Sequence, residues 1–289
     1  MLDRAGRIGP PGSDGPRRAP QGRVALAAVL AASSIAACTR PERRSPEPLR
    51  VAAAADLSFA FGELGAAYER ATGRKVVFSF GSTGLLEKQI ADGAPFDVFA
   101  AANISFVDDA IKANACLPES KALYAVGRLV LVPAATEGTL FFARSLSDLK
   151  DARVKRIAIA NPSHAPYGRA AQQALQRAGL WDTVSSKIVY GENVQQAFQF
   201  AQTGNADAAI VALSLVTAGS RDWTLIPADL HERLDQALVV CTHGKAGVAA
   251  GHGFASYVSS GAGRAVMRKY GLVPASESIT GARPAEFER

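Results

Sequence analysis

From Leu49 onward, short apolar runs alternate with amphipathic stretches, and this alternation limits the possible fold more than any other feature of the chain. Residues 50–54 and 75–80 have the composition of strands. Residues 59–72 between them carry apolar side chains at helical spacing, and the pattern stops at Gly73. The next predicted elements are a helix over 85–91, a strand over 97–101 and a helix over 105–113. Such β-α-β alternation predicts a parallel sheet covered by helices.

A second alternating series begins at residue 157. Its predicted strands cover 157–160, 187–190 and 208–212, and its predicted helices cover 168–178 and 194–202. Two apolar runs, 122–133 and 237–241, flank this series, and strands at these places would connect two lobes twice. The last helices are predicted near 247–258 and 261–270.

These patterns predict an α/β fold of two lobes, each a mainly parallel sheet flanked by helices, joined by two crossover strands. Lobe I is expected to comprise 49–130 together with 237–273, and lobe II to comprise 131–236. The polar residues 274–289 are expected to form a poorly ordered tail.

The N-terminal region has a basic start, an almost wholly apolar or small run over 24–37, and small residues directly before Cys38. This pattern is typical of a secretory signal that ends in a lipid-attachment site. We therefore predict a signal peptide over 1–37, a lipidated Cys38, and a flexible charged and proline-rich tether over 38–48. The domain is then expected in the periplasm or on the outer face of the cytoplasmic membrane. A plain cleaved signal with an incidental Cys38 is the alternative. A transmembrane helix is disfavoured, because about 14 apolar residues are too few to span a bilayer.

Charge and cysteine content limit the partners of the exported part. The chain has a formal charge of +6, but five arginines and two aspartates precede Cys38, which leaves about +3 for the rest. This charge is small and dispersed, which argues against nucleic-acid binding. Cys116 and Cys241 remain once Cys38 is lipidated. The sequence leaves open whether they form a disulfide or stay as two free buried thiols.

Four turns resemble one another, because each follows a predicted strand, carries small or amide residues and begins a helix. They are 54–58 (AADLS), 80–84 (FGSTG), 165–168 (APYG) and 191–194 (GENV). Helix N-termini expose unpaired N–H groups, so several directed at one point would bind an anion without lysine or arginine. Any one of these turns alone is more typical of an ordinary helix cap than of an anion site, so the inference depends on their number.

The chain resembles the periplasmic molybdate- and tungstate-binding proteins that serve ABC importers, over about residues 49–272. The matching segments are 51–61 (VAAAADLSFAF), 80–84 (FGSTG), 90–99 (IADGAPFDVF), 124–131 (YAVGRLVL), 157–168 (IAIANPSHAPYG), 191–200 (GENVQQAFQF), 203–209 (TGNADAA) and 269–271 (KYG). The resemblance implies a two-lobed periplasmic-binding-protein fold of type II that closes on a tetrahedral oxyanion. It also implies recognition by a membrane permease.

The resemblance also suggests which residues bind the oxyanion. Thr83, with Ser82 beside it, corresponds to the hydroxyl of the second turn, and the N–H groups of Tyr167 and Val194 correspond to the third and fourth turns. Some relatives have a tyrosine where this chain has Ala212, and the Tyr167 hydroxyl is a possible replacement for it.

The first turn departs from the family, because Asp56 stands where many relatives have serine and some have asparagine. A carboxylate ~4 Å from one negative charge costs about 4 kcal/mol at an effective dielectric of 20, and a dianion doubles this. Asp56 can turn away, leaving the N–H groups of Leu57 and Ser58 and the Ser58 hydroxyl to bind. Alternatively, its carboxyl is protonated, or the ligand itself carries a proton. We prefer the first arrangement, in which Asp56 caps the following helix and the oxyanion is held through Ser58, Thr83, Tyr167 and Val194.

The sequence thus predicts a monomeric extracytoplasmic substrate-binding protein that captures molybdate or tungstate for an ABC importer, without a cofactor and without enzymatic activity. One alternative ligand is another oxyanion, such as phosphate or a small organic anion. A more distant alternative is a secreted hydrolase that uses Ser82 or Ser214 with a histidine, although no Gly-x-Ser-x-Gly motif is present. His164 lies beside the third turn, where one alternative is that it faces the cleft, and the preferred interpretation is a loop histidine without a role.

Overall fold

The computed structural model describes residues 46–134, 143–217 and 222–278. The predicted signal peptide, Cys38 with most of the tether, and residues 279–289 of the predicted tail lie outside this part of the chain.

The described residues contain eleven strands and ten α-helices. The first part of the chain forms β1 (Leu49–Ala54), α1 (Ser58–Thr72), β2 (Val76–Gly81), α2 (Thr83–Ala91), β3 (Val98–Ala101), α3 (Ile104–Lys112) and β4 (Ala122–Gly127). The middle part forms β5 (Leu129–Pro133), β6 (Ile157–Ala160), α4 (Pro166–Arg177), α5 (Trp181–Val184), β7 (Ile188–Gly191), α6 (Val194–Gln202), β8 (Ala208–Ala212), α7 (Leu213–Val216) and β9 (Thr224–Leu225). The last part forms β10 (Leu234–Val240), α8 (Val248–Val258), α9 (Gly261–Lys269), β11 (Val273–Pro274) and α10 (Ala275–Ser278).

The strands form two sheets, one in each lobe. The six-stranded sheet of lobe I has the order β11-β4-β10-β3-β1-β2, and the five-stranded sheet of lobe II has the order β7-β6-β8-β5-β9. The strands β3, β6 and β8 are wholly buried, because helices cover both faces of the sheets. The predicted two-lobed α/β architecture is confirmed.

Each sheet is mixed rather than mainly parallel. The strands β1 and β6 pair in parallel with both of their neighbours, whereas β5 and β10 pair only in antiparallel fashion. The strands β5 and β10 each follow a passage from the opposite lobe. They are therefore free of the β-α-β connection that makes neighbouring strands parallel.

The chain passes between the lobes at Arg128 and again after β9. The apolar run over 122–133, predicted as one long strand, is divided at Arg128 into two strands that belong to different sheets. These two passages between the lobes lie a few residues before the predicted boundaries at 130 and 236. The tail also begins later than predicted, because Pro274 pairs with β4 and a short helix follows it.

The two lobes contact each other through His164. Its carbonyl oxygen accepts hydrogen bonds from the Ser82 hydroxyl at 2.8 Å and from the Gly84 N–H at 2.9 Å. Its Nδ1 lies 2.8 Å from the same hydroxyl oxygen. The interpretation of His164 as a residue without a role was therefore wrong, since it joins lobe II to the start of α2 in lobe I.

A disulfide joins Cys116 to Cys241, two positions that are 125 residues apart in the sequence. The two residues face each other as an isolated antiparallel bridge beyond the end of β10, and both are buried. The crosslink encloses all of lobe II in one loop of the chain. It joins the part of lobe I that precedes lobe II in the sequence to the part that follows it.

Gly127, the last residue of β4, lies against side chains of both lobes. A Cβ atom added there would overlap the Tyr167 hydroxyl and lie 2.9 Å from Nε2 of Gln236. Glycine is therefore required at this position by close approach, directly before the first passage between the lobes.

Removal of the disulfide should weaken the fold. We expect the double substitution Cys116→Ala/Cys241→Ala to lower the free energy of unfolding by about 2–4 kcal/mol, because a large loop is no longer closed in the unfolded chain. Denaturant unfolding of the exported domain measures this loss, and reduction of the unsubstituted protein should reproduce it. An unchanged unfolding midpoint in both experiments would contradict the expectation.

Substitution of Gly127 should disturb the junction between the lobes. We expect Gly127→Ala to destabilise the protein by about 1–3 kcal/mol, because the added methyl group forces Tyr167 or Gln236 to move. The matched control is Gly62→Ala on α1, where no atom lies within 4 Å of an added Cβ and alanine favours the helix. Equal melting temperatures of the two variants would contradict this account.

Candidate functional site

The turns that precede α2, α4 and α6, together with the turn after β1, meet at one cavity in the cleft between the lobes. The cavity has a volume of about 10 Å³. The residues that line it are Ala54, Ala55, Asp56, Gly81, Ser82, Thr83, Ala102, Ala165, Pro166, Tyr167, Asn193 and Val194. None of these described residues is a lysine, an arginine or a histidine.

Three helix N-termini face this cavity, one from lobe I and two from lobe II. Thr83 and Val194 are the first residues of α2 and α6, and Tyr167 is the second residue of α4. The N–H groups of such positions have no acceptor within their own helix, and each helix end carries a partial positive charge. The side chain of Asn193 accepts a hydrogen bond from the N–H of Gln196. It therefore does not occupy the N–H groups of the residues before Gln196 in α6. The positive partial charge at the cavity therefore comes from helix ends rather than from cationic side chains, and Asp56 is the one carboxyl side chain among the described residues of the lining.

The Thr83 hydroxyl is the second kind of donor at the cavity. Thr83 is 1% exposed, and its Oγ1 accepts the N–H of Ala102 at 3.2 Å. Since this oxygen is held as an acceptor, its own hydrogen is available for donation. No acceptor for this hydrogen lies within reach among the residues that the structure describes.

Ser82 lines the cavity, but its hydroxyl is engaged with His164. A carbonyl oxygen can only accept, so the single hydroxyl hydrogen of Ser82 is donated to the His164 carbonyl. We infer that Nδ1 of His164 then carries a hydrogen and donates it to the Ser82 oxygen. Ser82 thus joins the lobes next to the cavity, whereas Thr83 remains free to bind.

Leu57 and Ser58 do not line the cavity. A short helical turn over Ala55–Leu57 directs the Ser58 N–H to the carbonyl of Ala55, and Leu57 is fully buried. The Ser58 hydroxyl is buried without a hydrogen-bond partner among the described residues. The N–H groups and the hydroxyl expected from this turn are therefore not part of the cavity lining.

Asp56 is fully buried and lies on the cavity wall. Its Oδ2 accepts a hydrogen bond from Nε2 of Gln236 at 2.6 Å, whereas its Oδ1 has no partner among the residues described. Its main-chain carbonyl accepts the Ser214 hydroxyl at 2.7 Å. The side chain does not cap α1, whose cap position is Leu57. The carboxyl group of Asp56 is thus only half paired, because Oδ2 accepts a hydrogen bond and Oδ1 has no partner among the described residues.

Burial raises the pKa of Asp56 from 3.8 to about 6, although hydrogen bonds from Gln236 and Tyr167 act in the opposite direction. Burial also raises the pKa values of Tyr124 and Tyr167 well above 10, with the negative charge of Asp56 as the next cause. Both phenols therefore act as neutral hydrogen-bond groups.

Sequence analysis missed Gln236 and Tyr124, which hold Asp56 in place. The Tyr124 hydroxyl donates to Oε1 of Gln236 at 2.9 Å, and Nε2 of Gln236 lies 3.1 Å from the Tyr167 hydroxyl. The Tyr167 hydroxyl thus joins Gln236 and Asp56, while Ala212 lies in the core. A glutamine within the apolar strand β10 was the available signal, because a fully buried amide needs partners.

The described residues contain no cluster of three or more histidine, cysteine or acidic side chains that could hold a metal ion. Within the same ranges, none of the helices combines the length and the apolar character needed to cross a membrane.

Comparison with known proteins agrees with the fold. A relative named molybdate-binding protein ModA from Azotobacter vinelandii is 37% identical over 228 residues, which are 77% of this chain and 88% of the relative. A Bacillus subtilis protein named as a putative ABC transporter substrate-binding lipoprotein is 31% identical over 197 residues, which are 65% of this chain and 73% of that protein. The solved structure of the Azotobacter vinelandii periplasmic molybdate-binding protein superimposes with a TM-score of 0.72 and 30% identity, and the match covers 78% of this chain and 98% of that structure.

The family profile of bacterial extracellular solute-binding proteins matches residues 49–273, which include both lobes and every residue of the cavity wall. The chain belongs to the family of bacterial extracellular solute-binding proteins.

Proposed function

We propose that this chain captures molybdate or tungstate outside the cytoplasm and delivers it to an ABC importer. The observation that carries the proposal is the set of neutral donors from both lobes at one cavity. Their N–H and O–H groups are suited to bind the oxygen atoms of a tetrahedral oxyanion and to offset its negative charge. The relatives that are named molybdate-binding proteins support molybdate as the ligand.

In the proposed complex, the Thr83 hydroxyl and the N–H groups of Thr83, Tyr167 and Val194 bind the oxygen atoms of the anion. No protein group binds the metal atom itself. Each donor is fixed within its own lobe by the helix that presents it, so binding needs a movement of the lobes but no rearrangement within each turn. Sulfate is smaller than molybdate and would leave donors at long distances, whereas molybdate and tungstate are nearly equal in size and charge.

Ligand entry requires the lobes to move. A cavity of about 10 Å³ offers the room of a single water molecule, so an anion with four oxygens needs a wider cleft. The two passages between the lobes, at Arg128 and between β9 and β10, are the places where a hinge movement can occur. The contact of His164 with Ser82 and Gly84 would then form as the lobes close.

We infer a binding role without catalysis. The Ser82–His164 contact resembles the first two members of a hydrolase triad, but the hydroxyl hydrogen of Ser82 is donated to a carbonyl rather than to the imidazole. The serine is therefore not activated as a nucleophile. A hydrolase would be supported by turnover of generic esters that disappears in Ser82→Ala.

We further propose that the exported domain is anchored through a lipid on Cys38 and acts as a monomer that presents its closed form to a membrane permease. The proposal rests on the signal pattern that ends at Cys38 and on the word lipoprotein in the name of the Bacillus subtilis relative. Metabolic labelling with a radioactive fatty acid, compared between the full chain and Cys38→Ser, tests the anchor.

Titration calorimetry with molybdate, tungstate, sulfate and phosphate tests the ligand. We expect molybdate and tungstate to bind with similar dissociation constants and sulfate to bind much more weakly. A protein that binds phosphate but neither metal oxyanion would instead support the alternative ligand class, and a protein that binds none of the four would overturn the proposal.

Substitution of Thr83 tests the assignment of the donors. Thr83→Ala should weaken molybdate binding by about 1–3 kcal/mol, because a charged acceptor loses a hydroxyl donor. Thr83→Ser keeps the hydroxyl and should restore most of the affinity. Thr183→Ala on the exposed surface of α5 is the matched control and should leave the dissociation constant unchanged. An unchanged constant in Thr83→Ala would remove this residue from the site.

A further inference from the structure

The unpaired carboxyl oxygen of Asp56 is the one feature of the site that the proposed donors leave unexplained. Asp56 is fully buried, lies on the cavity wall, and has a partner for Oδ2 but none for Oδ1 among the described residues. A buried polar atom without a partner is costly, and a buried carboxylate beside a dianion is repelled as well. The residue therefore disfavours an anion unless its own charge is removed.

The hydrogen bonds around Asp56 determine which of its oxygens would carry a proton. Tyr124 donates to Oε1 of Gln236 at 2.9 Å, so this amide is oriented with Nε2 as its donor end. Nε2 donates to Oδ2 of Asp56 at 2.6 Å, and an oxygen that accepts this bond remains the unprotonated one. The acid hydrogen is then left to Oδ1, the oxygen without a protein partner.

We propose that Asp56 binds the captured oxyanion as a neutral carboxylic acid that donates its hydrogen from Oδ1 to an oxygen of the ligand. This inference rests on the proposed function and specifies the residue that couples it to pH. Where Asp56 is ionised in the free protein, one proton is taken from solvent for each dianion bound. No other bond is made or broken, and the complex carries the charge of the protonated protein plus the dianion.

The groups that face Asp56 support this assignment. From β4 and α4 they are the phenols of Tyr124 and Tyr167, from β10 the amide of Gln236, and from α7 the hydroxyl of Ser214. All four are neutral near pH 7, and no cation is among the causes that act on the pKa of Asp56. That pKa is about 6 in the free protein, so the acid form is within reach near neutral pH.

The pH dependence of binding tests the proposal. Above the pKa of Asp56, each pH unit should raise the dissociation constant tenfold, or about 30-fold between pH 7 and 8.5. Calorimetry of molybdate binding at pH 8, in two buffers with different heats of ionisation, should give an uptake of nearly one proton per ligand.

The substitution Asp56→Asn separates this role from a merely structural one. Its amide supplies a permanent donor without charge, so the variant should bind molybdate more tightly than the unsubstituted protein at pH 8, with no proton uptake and no pH dependence. His164 contacts Ser82 next to the cavity and is not among the groups that act on the pKa of Asp56. His164→Asn should therefore keep the tenfold slope.

A measurement without ligand gives independent evidence. Asp56 has a higher pKa in the folded protein than in the unfolded chain, so its contribution favours folding at low pH and is lost as the pH rises from about 4 to about 6. The melting temperature of Asp56→Asn should exceed that of the unsubstituted protein at pH 8, and the difference should shrink toward pH 4.

Two outcomes would overturn the inference while leaving the proposed function intact. One is a molybdate dissociation constant that is flat between pH 7 and 8.5 with no proton uptake. The other is a folded Asp56→Asn variant that binds molybdate more weakly than the unsubstituted protein at pH 8. Binding of phosphate alone without proton uptake would overturn the inference together with the proposed ligand, because hydrogen phosphate brings its own proton. Failure of both variants and the unsubstituted protein to bind any of these anions would overturn the proposed function and this inference with it.

Discussion

Unpaired N–H groups at the first turns of three helices converge on one small cavity, and the arrangement of both lobes serves this convergence. Each helix follows a strand directly, so its N-terminus lies at the carboxyl end of a sheet. The carboxyl ends of the two sheets face each other across the cleft, the usual place for ligands in α/β folds. Had the helices been reversed, their carbonyl ends would repel an anion at the same position.

A chain of buried polar groups connects this cavity to the two passages between the lobes. It leads from Tyr124 through Gln236 to Asp56 and Tyr167, and it contains residues of both lobes. Gln236 lies on β10 just after the second passage, and Gly127 lies just before the first. Because Tyr167 belongs to lobe II and the other three residues belong to lobe I, this hydrogen-bonded network crosses the cleft.

Two neighbouring hydroxyl side chains at the start of α2 have different roles. Ser82 and Thr83 are adjacent and both buried. The hydroxyl hydrogen of Ser82 is donated to the His164 carbonyl and links the lobes, whereas the Thr83 hydroxyl accepts from Ala102 and keeps its hydrogen for a ligand. The difference arises from the acceptors that lie nearby rather than from the residue type.

The periodicity of apolar residues is enough to predict the longer strands and helices, because it records which faces become buried, whereas the short elements β9, β11, α5, α7 and α10 are not predicted from it. The strands β6 and β8 and the helix α6 have the predicted bounds, and the two-lobed architecture follows from the alternation. Four features were visible only in the folded protein. They are the division of the apolar run at Arg128, the Cys116–Cys241 pairing, the position of Ser58 outside the cavity lining and the hydrogen bond from Gln236 to Asp56. Each of these depends on contacts between segments far apart in the chain, and local periodicity carries no information about such partners.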